Sequence, residues 1–124
     1  MRHLLLLLLA ITLLVSPVVL RAEITLLMAE EDGCMWCARW DAEISEIYPK
    51  TPEGHAAPLQ RIDLHAAMPD GVALERPLYY SPTFVLLDNG QEVGRIEGYP
   101  GEDFFWGLLG VLLRDAGISI ETSG

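Results

Sequence analysis

Two cysteines separated by two residues follow a wholly apolar segment and begin an amphipathic one, and this order constrains the fold more than any other feature of the chain. The apolar segment, residues 24–29, has the length and hydrophobicity of a strand buried on both faces of a sheet. Behind the cysteines, apolar residues recur at helical spacing until Pro49. The pattern predicts a central strand followed by a helix of three to four turns with both cysteines in its first turn.

The remainder of the chain alternates strand and helix patterns. Residues 83–87 form an apolar run, and Asn89-Gly90 can adopt the positive φ angles of a tight hairpin before another strand. The order of elements is βαβ(α)ββα, which predicts an α/β fold with a central mixed sheet flanked by helices. The predicted strands are 24–29, 59–64, 83–87 and 92–97; helices begin at 34 and 102, a short helix covers 72–76, and 49–58 is irregular.

The N-terminal residues have the pattern of an export signal. A basic start, Met1-Arg2-His3, precedes an apolar run at 4–20, and Ala22 offers a small residue for cleavage. We predict a signal peptide at residues 1–22 and a single mature domain at 23–124. An uncleaved membrane anchor is the alternative, because 17 apolar residues are close to the minimum for a membrane-spanning helix. In both cases the domain is exported.

Acidic residues outnumber basic ones in the predicted mature domain. Loss of Arg2 and Arg21 leaves 6 basic and 18 acidic residues, which is a net charge of −12 with histidine neutral. This charge argues against nucleic acid as a partner and against tight binding to anionic lipid. It favours solubility and steering toward a basic patch on another protein.

The spacing of Cys34 and Cys37 indicates redox chemistry rather than a disulfide that stabilises the fold. A loop with two intervening residues restricts the unfolded chain little, so its closure contributes little stability. In the first turn of a helix, free N–H groups and the helix dipole favour a thiolate. We expect Cys34 to attack a partner's disulfide and Cys37 to resolve the mixed disulfide. The alternative is a zinc half-site with His55 and His65, whose spacing is wider than zinc sites use.

Two influences act in opposite directions on the thiol of Cys34. The helix terminus lowers its pKa from about 8.5 by roughly 0.2 to 1.5 units. The carboxylates of Glu30, Glu31 and Asp32 raise it. We predict that the pKa of Cys34 lies between about 6.5 and 8, a range that suits a reductant; a value near 4 from the titration of thiolate absorbance would contradict it.

A GCMWC segment after a strand and a Ser-Pro-Thr step into the third strand resemble thioredoxin-like proteins over nearly all of residues 23–124. The resemblance implies a protein disulfide reductase that needs no cofactor and no metal. It also implies a cis proline at position 82 that faces the disulfide, which is reasonable because a cis peptide is accessible mainly before proline. The residues that it places against the client are Met35, Trp36, Ser81, Pro82 and Thr83.

One position departs from the thioredoxin-like pattern. Those proteins bury an aspartate in the strand before the motif, where it helps to deprotonate the resolving thiol, and here that position is Met28. Proton exchange with Cys37 then needs water or another group, of which Glu30 is the nearest candidate in sequence. We therefore expect a narrower client range than that of a general thioredoxin.

The segments EEDGCMWCARWDAEI and RPLYYSPTFVLLDNGQEVGRIEGYPGEDFF are similar to the periplasmic thioredoxins of bacterial thiosulfate-oxidation systems. That similarity implies a periplasmic location, a client cysteine on a SoxYZ-like sulfur carrier, and a membrane thiol transporter of the CcdA type as electron donor. Three tyrosines lie near the predicted active face: Tyr79, Tyr80 and Tyr99. They either contact a partner or pack at the edge of the sheet.

Two other functions remain as alternatives. One is a DsbA-like thiol oxidase or disulfide isomerase. A DsbA-like fold usually carries a helical insertion, and the 44 residues between Cys37 and Pro82 leave little room for it. The other is a non-catalytic binding module that uses the same surface or chelates a metal.

Overall fold

The computed structural model of the chain describes residues 14–18 and 22–120. The signal peptide predicted at residues 1–22 falls largely outside this part. Within it, no helix has both the length and the apolar character needed to cross a membrane. In chain order the elements are β1 (Ile24–Glu30), α1 (Met35–Trp40) continued by a π-helical segment (Asp41–Ser45), a 3-10 turn (Tyr48–Lys50), α2 (Pro52–Ala56), β2 (Leu59–Asp63), β3 (Thr83–Asp88), β4 (Gln91–Glu97) and α3 (Glu102–Asp115).

The four strands form one mixed sheet in the order β2-β1-β3-β4. Strand β1 pairs parallel with β2 and antiparallel with β3, which pairs antiparallel with β4. Residues 26–29 of β1 and 83–87 of β3 are buried because both strands are central and both faces of the sheet are covered. The predicted α/β thioredoxin-like fold is confirmed, and β1 leads directly to Cys34.

Each face of the sheet has its own core. On one face, Leu26, Met28 and Phe84 pack against the helices α1 and α3. On the opposite face lie Leu27, Val85 and Leu87, which follows from the two-residue period of a strand. The residues that cover this second core are Ile62, Met68, Val72, Leu74 and Leu78.

The helix predicted after the cysteines is present and ends near Pro49. Trp40, Ile44 and Tyr48 are fully buried at intervals of four residues, which keeps them on one face of the helical stretch. Trp36 begins the same series in sequence but lies in the first turn of α1 and is 46% exposed. The buried series anchors the helix, and the exposed first turn remains available for contact.

The short helix predicted at 72–76 is wrong. Ala73 instead lies beside β4, and its carbonyl oxygen accepts a hydrogen bond from the Glu92 N–H at 3.0 Å. Val72 and Leu74 both pack into the second core, on either side of Ala73, as the period of an extended chain allows. The segment covers the open edge of β4, a role that local sequence does not reveal.

The region predicted to be irregular, residues 49–58, contains the 3-10 turn and α2. Thr51 caps α2, because its Oγ1 accepts a hydrogen bond from the Gly54 N–H at 3.0 Å. Pro52 occupies the first helical position, where a missing N–H costs nothing. Thr51-Pro52 thus starts a new helix as well as stopping the preceding one. The prediction of an irregular segment took Pro52 only as a helix stop.

Candidate active site

The two cysteines are joined by a disulfide at the N-terminus of α1. Cys34 is the N-cap residue with extended backbone, and its Sγ accepts a hydrogen bond from the Cys37 N–H at 3.1 Å. Cys37 is 4% exposed, whereas Cys34 is partly exposed. The sulfur of Cys34 is therefore the one within reach of a partner's disulfide. The amide that would stabilise its thiolate already points at it.

A second loop meets the cysteine loop. The Ser81–Pro82 peptide bond is cis, as the resemblance implied, and the Pro82 carbonyl oxygen accepts a hydrogen bond from the Gly98 N–H at 2.7 Å. Ser81 Oγ donates to Glu31 Oε1 at 2.8 Å. Glu31 lies three residues before Cys34, so this bond ties the proline loop to the loop that carries the attacking sulfur.

The predicted client-contact residues divide into accessible and buried side chains. Met35 and Trp36 are exposed, and Ser81 is half-buried. Pro82 and Thr83 are buried, and Thr83 Oγ1 donates to a carbonyl within its own loop at 2.6 Å. Met35, Trp36 and Ser81 can touch a client with their side chains, whereas Pro82 and Thr83 shape the loop.

An open groove of about 480 Å³ lies between the first turn of α1 and the proline loop. Tyr79 and Tyr80 are 74% and 58% exposed and line it together with Trp36. Flat aromatic faces with polar tips are typical of surfaces that bind peptides. The other lining residues are Glu31, Ser81, Glu97 and Gly98.

Glu97 and Gly98 belong to this groove although the sequence analysis did not single them out. Strand β4 pairs antiparallel with β3, and Glu97 lies opposite Thr83 in the register. The end of β4 is therefore carried to the proline loop by the hairpin. The regular register of the predicted turn would place Ile96 opposite Thr83, and the one-residue shift near Val93 brings Glu97 there instead. The sequence carried no signal for that shift.

Tyr99 does not belong to the groove. It is buried, its ring contacts Phe105 edge-on with centroids 6.2 Å apart, and its hydroxyl donates to Glu43. Burial, together with that hydrogen bond, raises the pKa of Tyr99. Of the two roles considered for the tyrosines, Tyr79 and Tyr80 are placed for partner contact and Tyr99 for packing.

A shallow depression borders the disulfide and is rich in carboxylates. Arg61 donates to Glu30 Oε1 at 2.8 Å and to Asp41 Oδ1 at 2.7 Å, and the bond to Glu30 is the main cause that raises the pKa of Arg61. Met28 is fully buried and offers no carboxylate. Glu30 and Asp41 both line the depression together with Cys37, and Arg61 holds both carboxylates. The exchange of a proton between Glu30 and Cys37 stays a prediction. The lining residues are Glu30, Glu31, Asp32, Gly33, Cys34, Met35, Cys37, Ala38 and Asp41.

Glu31 links the electrostatics of the site to the pKa of Cys34. The Ser81 hydroxyl, followed by the His65 ring, holds the pKa of Glu31 below its ordinary value. Glu31 is thus ionised throughout the range in which a thiol titrates, and its charge opposes the thiolate. We predict that Glu31→Gln, which keeps an acceptor for Ser81, lowers the pKa of Cys34 by about 0.5 unit in a titration of thiolate absorbance.

The matched control for this prediction is Asp115→Asn. Asp115 is exposed at the end of α3, about 20 Å along the helix from its first residue. Asp115 lines neither the groove nor the disulfide depression, and its exposed charge is screened by solvent, so the pKa of Cys34 should change by less than about 0.1 unit. A pKa that stays constant or rises in Glu31→Gln would contradict the assignment of Glu31.

A C-x-x-C disulfide at the start of a helix, linked by the Glu31–Ser81 hydrogen bond to a loop with a cis proline, defines the class: a thiol-disulfide oxidoreductase with the thioredoxin fold. No protein-family model matches the chain, and no curated protein matches it. The chain is similar to a crystal structure of the periplasmic thioredoxin SoxS from Paracoccus pantotrophus in the reduced form. The identity is 54%, covering 76% of this chain and 99% of that one, with a TM-score of 0.75. The chain therefore belongs to the SoxS family of thioredoxins.

Proposed function

We propose that this oxidoreductase works as a reductase of one specific partner protein, with Cys34 as nucleophile and Cys37 as resolving thiol. The Cys34 thiolate attacks a disulfide sulfur of the partner, and the partner's first thiolate leaves and takes up a proton. Cys37, deprotonated, then attacks the Cys34 sulfur and releases the partner's second thiolate. Two electrons pass to the partner, and the Cys34–Cys37 disulfide remains.

The observation that carries this proposal is the arrangement of the two sulfurs. Cys34 is partly exposed at the helix N-terminus beside the aromatic groove, and Cys37 lies buried one turn further along. A bound client would therefore meet Cys34 first, and Cys37 would be shielded from it. This asymmetry supports a directed two-step exchange rather than random attack by either thiol.

Two features favour a reductase over a DsbA-like oxidase or an isomerase. The carboxylates around the disulfide oppose a very stable thiolate, and a less stable thiolate makes a less oxidising disulfide. Between β2 and β3, the described residues 64–82 contain no helix, whereas an oxidase of the DsbA type usually carries a helical insertion. Neither feature favours the oxidase.

The proposed client is the cysteine of a SoxYZ-like sulfur carrier, kept reduced in the periplasm. Support comes from the similarity to SoxS, which is a periplasmic thioredoxin, and from the export signal predicted at residues 1–22. The electron donor would be a membrane thiol transporter of the CcdA type, since each turnover leaves a disulfide that must be reduced again. The missing buried carboxylate at Met28 is consistent with a narrow client range.

The direct test mixes the fully reduced protein with an oxidised SoxYZ carrier and follows the carrier's thiols by mass after alkylation. We expect one carrier disulfide to be reduced for each Cys34–Cys37 disulfide formed. The rate should exceed that for insulin, a general protein disulfide, by about tenfold or more, a difference of roughly 1.4 kcal/mol in the barrier. Equal rates with both substrates would remove the specific-client proposal, and no reduction of either would remove the reductase.

A further inference from the structure

Strand β4 contains an irregularity that decides which way its charged residues face. In the register with β3, the pairing passes from Glu92 directly to Gly94, so Val93 is an extra residue in a β-bulge. In a regular strand, residues three apart point to opposite faces of the sheet. The bulge instead turns Glu92 and Arg95 to the same face, where they meet.

Glu92 and Arg95 form a buried ion pair. Arg95 donates through Nη2 to Glu92 Oε1 at 2.6 Å and through Nε to Oε2 at 2.8 Å, and the two side chains are 5% and 1% exposed. Burial opposes the charge of Glu92, but the hydrogen bonds from Arg95 and from a backbone N–H outweigh it and hold its pKa low. A buried pair of this kind often stabilises a protein no better than apolar residues would. Stability alone therefore does not explain the pair.

The remaining donors and acceptors of the pair hold the segment that runs along the outer edge of β4. Arg95 Nη2 donates to the Arg76 carbonyl oxygen at 2.9 Å, and Nη1 donates to the Pro77 carbonyl oxygen at 3.2 Å. Glu92 Oε1 accepts from the Glu75 N–H at 3.0 Å. Three successive residues of the segment are thus bound by one pair of side chains.

The held segment leads directly into the wall of the groove. Only Leu78, which packs into the second core, separates the bound carbonyls from Tyr79 and Tyr80. The Arg76 side chain also pairs with Glu97, which lines the groove. The position of both exposed tyrosines relative to the disulfide is therefore set from β4.

We propose that Glu92 and Arg95 are positioning residues for client binding. They hold the segment at 75–77 so that Tyr79 and Tyr80 already lie beside the Cys34–Cys37 disulfide before a client binds. The inference rests on the proposed function, because it concerns how that site binds a protein client. A preformed wall lowers the ordering cost of binding and leaves the sulfur chemistry unchanged. The ion pair therefore affects client affinity and not the intrinsic reactivity of Cys34.

The test replaces the pair by apolar residues in Glu92→Leu/Arg95→Met, which removes the contacts to residues 75–77 without leaving a lone buried charge. Reduced protein is mixed with excess insulin in single turnovers, and the oxidation of its dithiol is followed by quenched alkylation. We expect the half-saturating insulin concentration to rise about five- to twenty-fold and the saturating rate to change less than twofold. The rate with hydroxyethyl disulfide, too small to reach the tyrosines, should also change less than twofold.

A matched control and a second variant keep the result interpretable. Arg114→Met removes an exposed arginine at the end of α3 and should leave all three quantities unchanged. Arg95→Lys keeps the charge opposite Glu92 but cannot bind both carbonyls, so it should raise half-saturation by a smaller factor. It serves as the test if the double variant does not fold. A folded variant with unchanged half-saturation, or an equal loss with the small disulfide, would overturn the proposal.

Insulin is chosen because the outcome then does not depend on the SoxYZ assignment. Failure of the wild-type protein to reduce insulin and the carrier alike would count against the proposed function. Normal reduction by the wild type, with unchanged half-saturation in a folded variant, would count against the positioning role of Glu92 and Arg95 alone.

Discussion

Cys37→Ser should accumulate covalent complexes with its clients, whereas Cys34→Ser should form none and lose at least about 1,000-fold in disulfide reduction. Without a thiol at position 37, nothing attacks the Cys34 sulfur in the mixed disulfide, so the complex persists. Without Cys34, the remaining thiol is buried and cannot reach a client. The complexes are isolated under non-reducing conditions and identified by mass.

Each single variant is the control for the other, since both remove one sulfur from the same motif. A Cys34→Ser variant as active as wild type would exclude the enzymatic role and leave only a binding module. A Cys37→Ser variant that captures no partner, or a random set of abundant proteins, would contradict a specific client.

Trp40→Ala should lower the free energy of unfolding by about 3 to 5 kcal/mol. Trp40 is fully buried at the centre of the larger core, where its ring centroid lies 5.4 Å from that of Phe84, 5.9 Å from that of Phe105 and 6.3 Å from that of Tyr48. Removing the indole leaves a cavity between the sheet, α1 and α3, which aromatic neighbours cannot refill. Equilibrium unfolding in urea measures the loss.

The same helix offers a matched control, because Trp36 lies one turn before Trp40 and is exposed. Trp36→Ala should cost less than about 1 kcal/mol of unfolding free energy. It should instead weaken the binding of protein clients, since Trp36 lines the groove. A loss below about 1 kcal/mol for Trp40→Ala, or equal losses for both tryptophans, would contradict the division of α1 into an exposed first turn and a buried second turn.

Much of the fold could be predicted because its central elements carry strong local patterns. Residues 26–29 are buried on both faces of the sheet and are all apolar, and Asn89-Gly90 favours a tight hairpin turn. The cysteine pair and the proline before the third strand were identified from spacing and resemblance. Their meeting at one surface follows from the antiparallel pairing of β1 with β3.

The features that could not be predicted depend on contacts between distant parts of the chain. Residues 72–76 have no helix because the edge of β4 offers partners to Ala73. The Glu31–Ser81 hydrogen bond joins residues that are 50 positions apart in the chain, and no local sequence pattern in either segment predicts it. Glu92 pairs with Leu87 in the regular hairpin register, but only the bulge at Val93 turns Arg95 to the same face, where it contacts Glu92.

The standard reduction potential of the Cys34–Cys37 disulfide tests the central claim most directly, because it measures whether this pair tends to give electrons to a client or to take them. The protein is equilibrated in a series of dithiothreitol and glutathione buffers, and its thiols are counted by mass after alkylation. We predict a potential of about −200 mV or lower, as for thioredoxins and glutaredoxins. A value above about −150 mV would make the protein an oxidant and contradict the account.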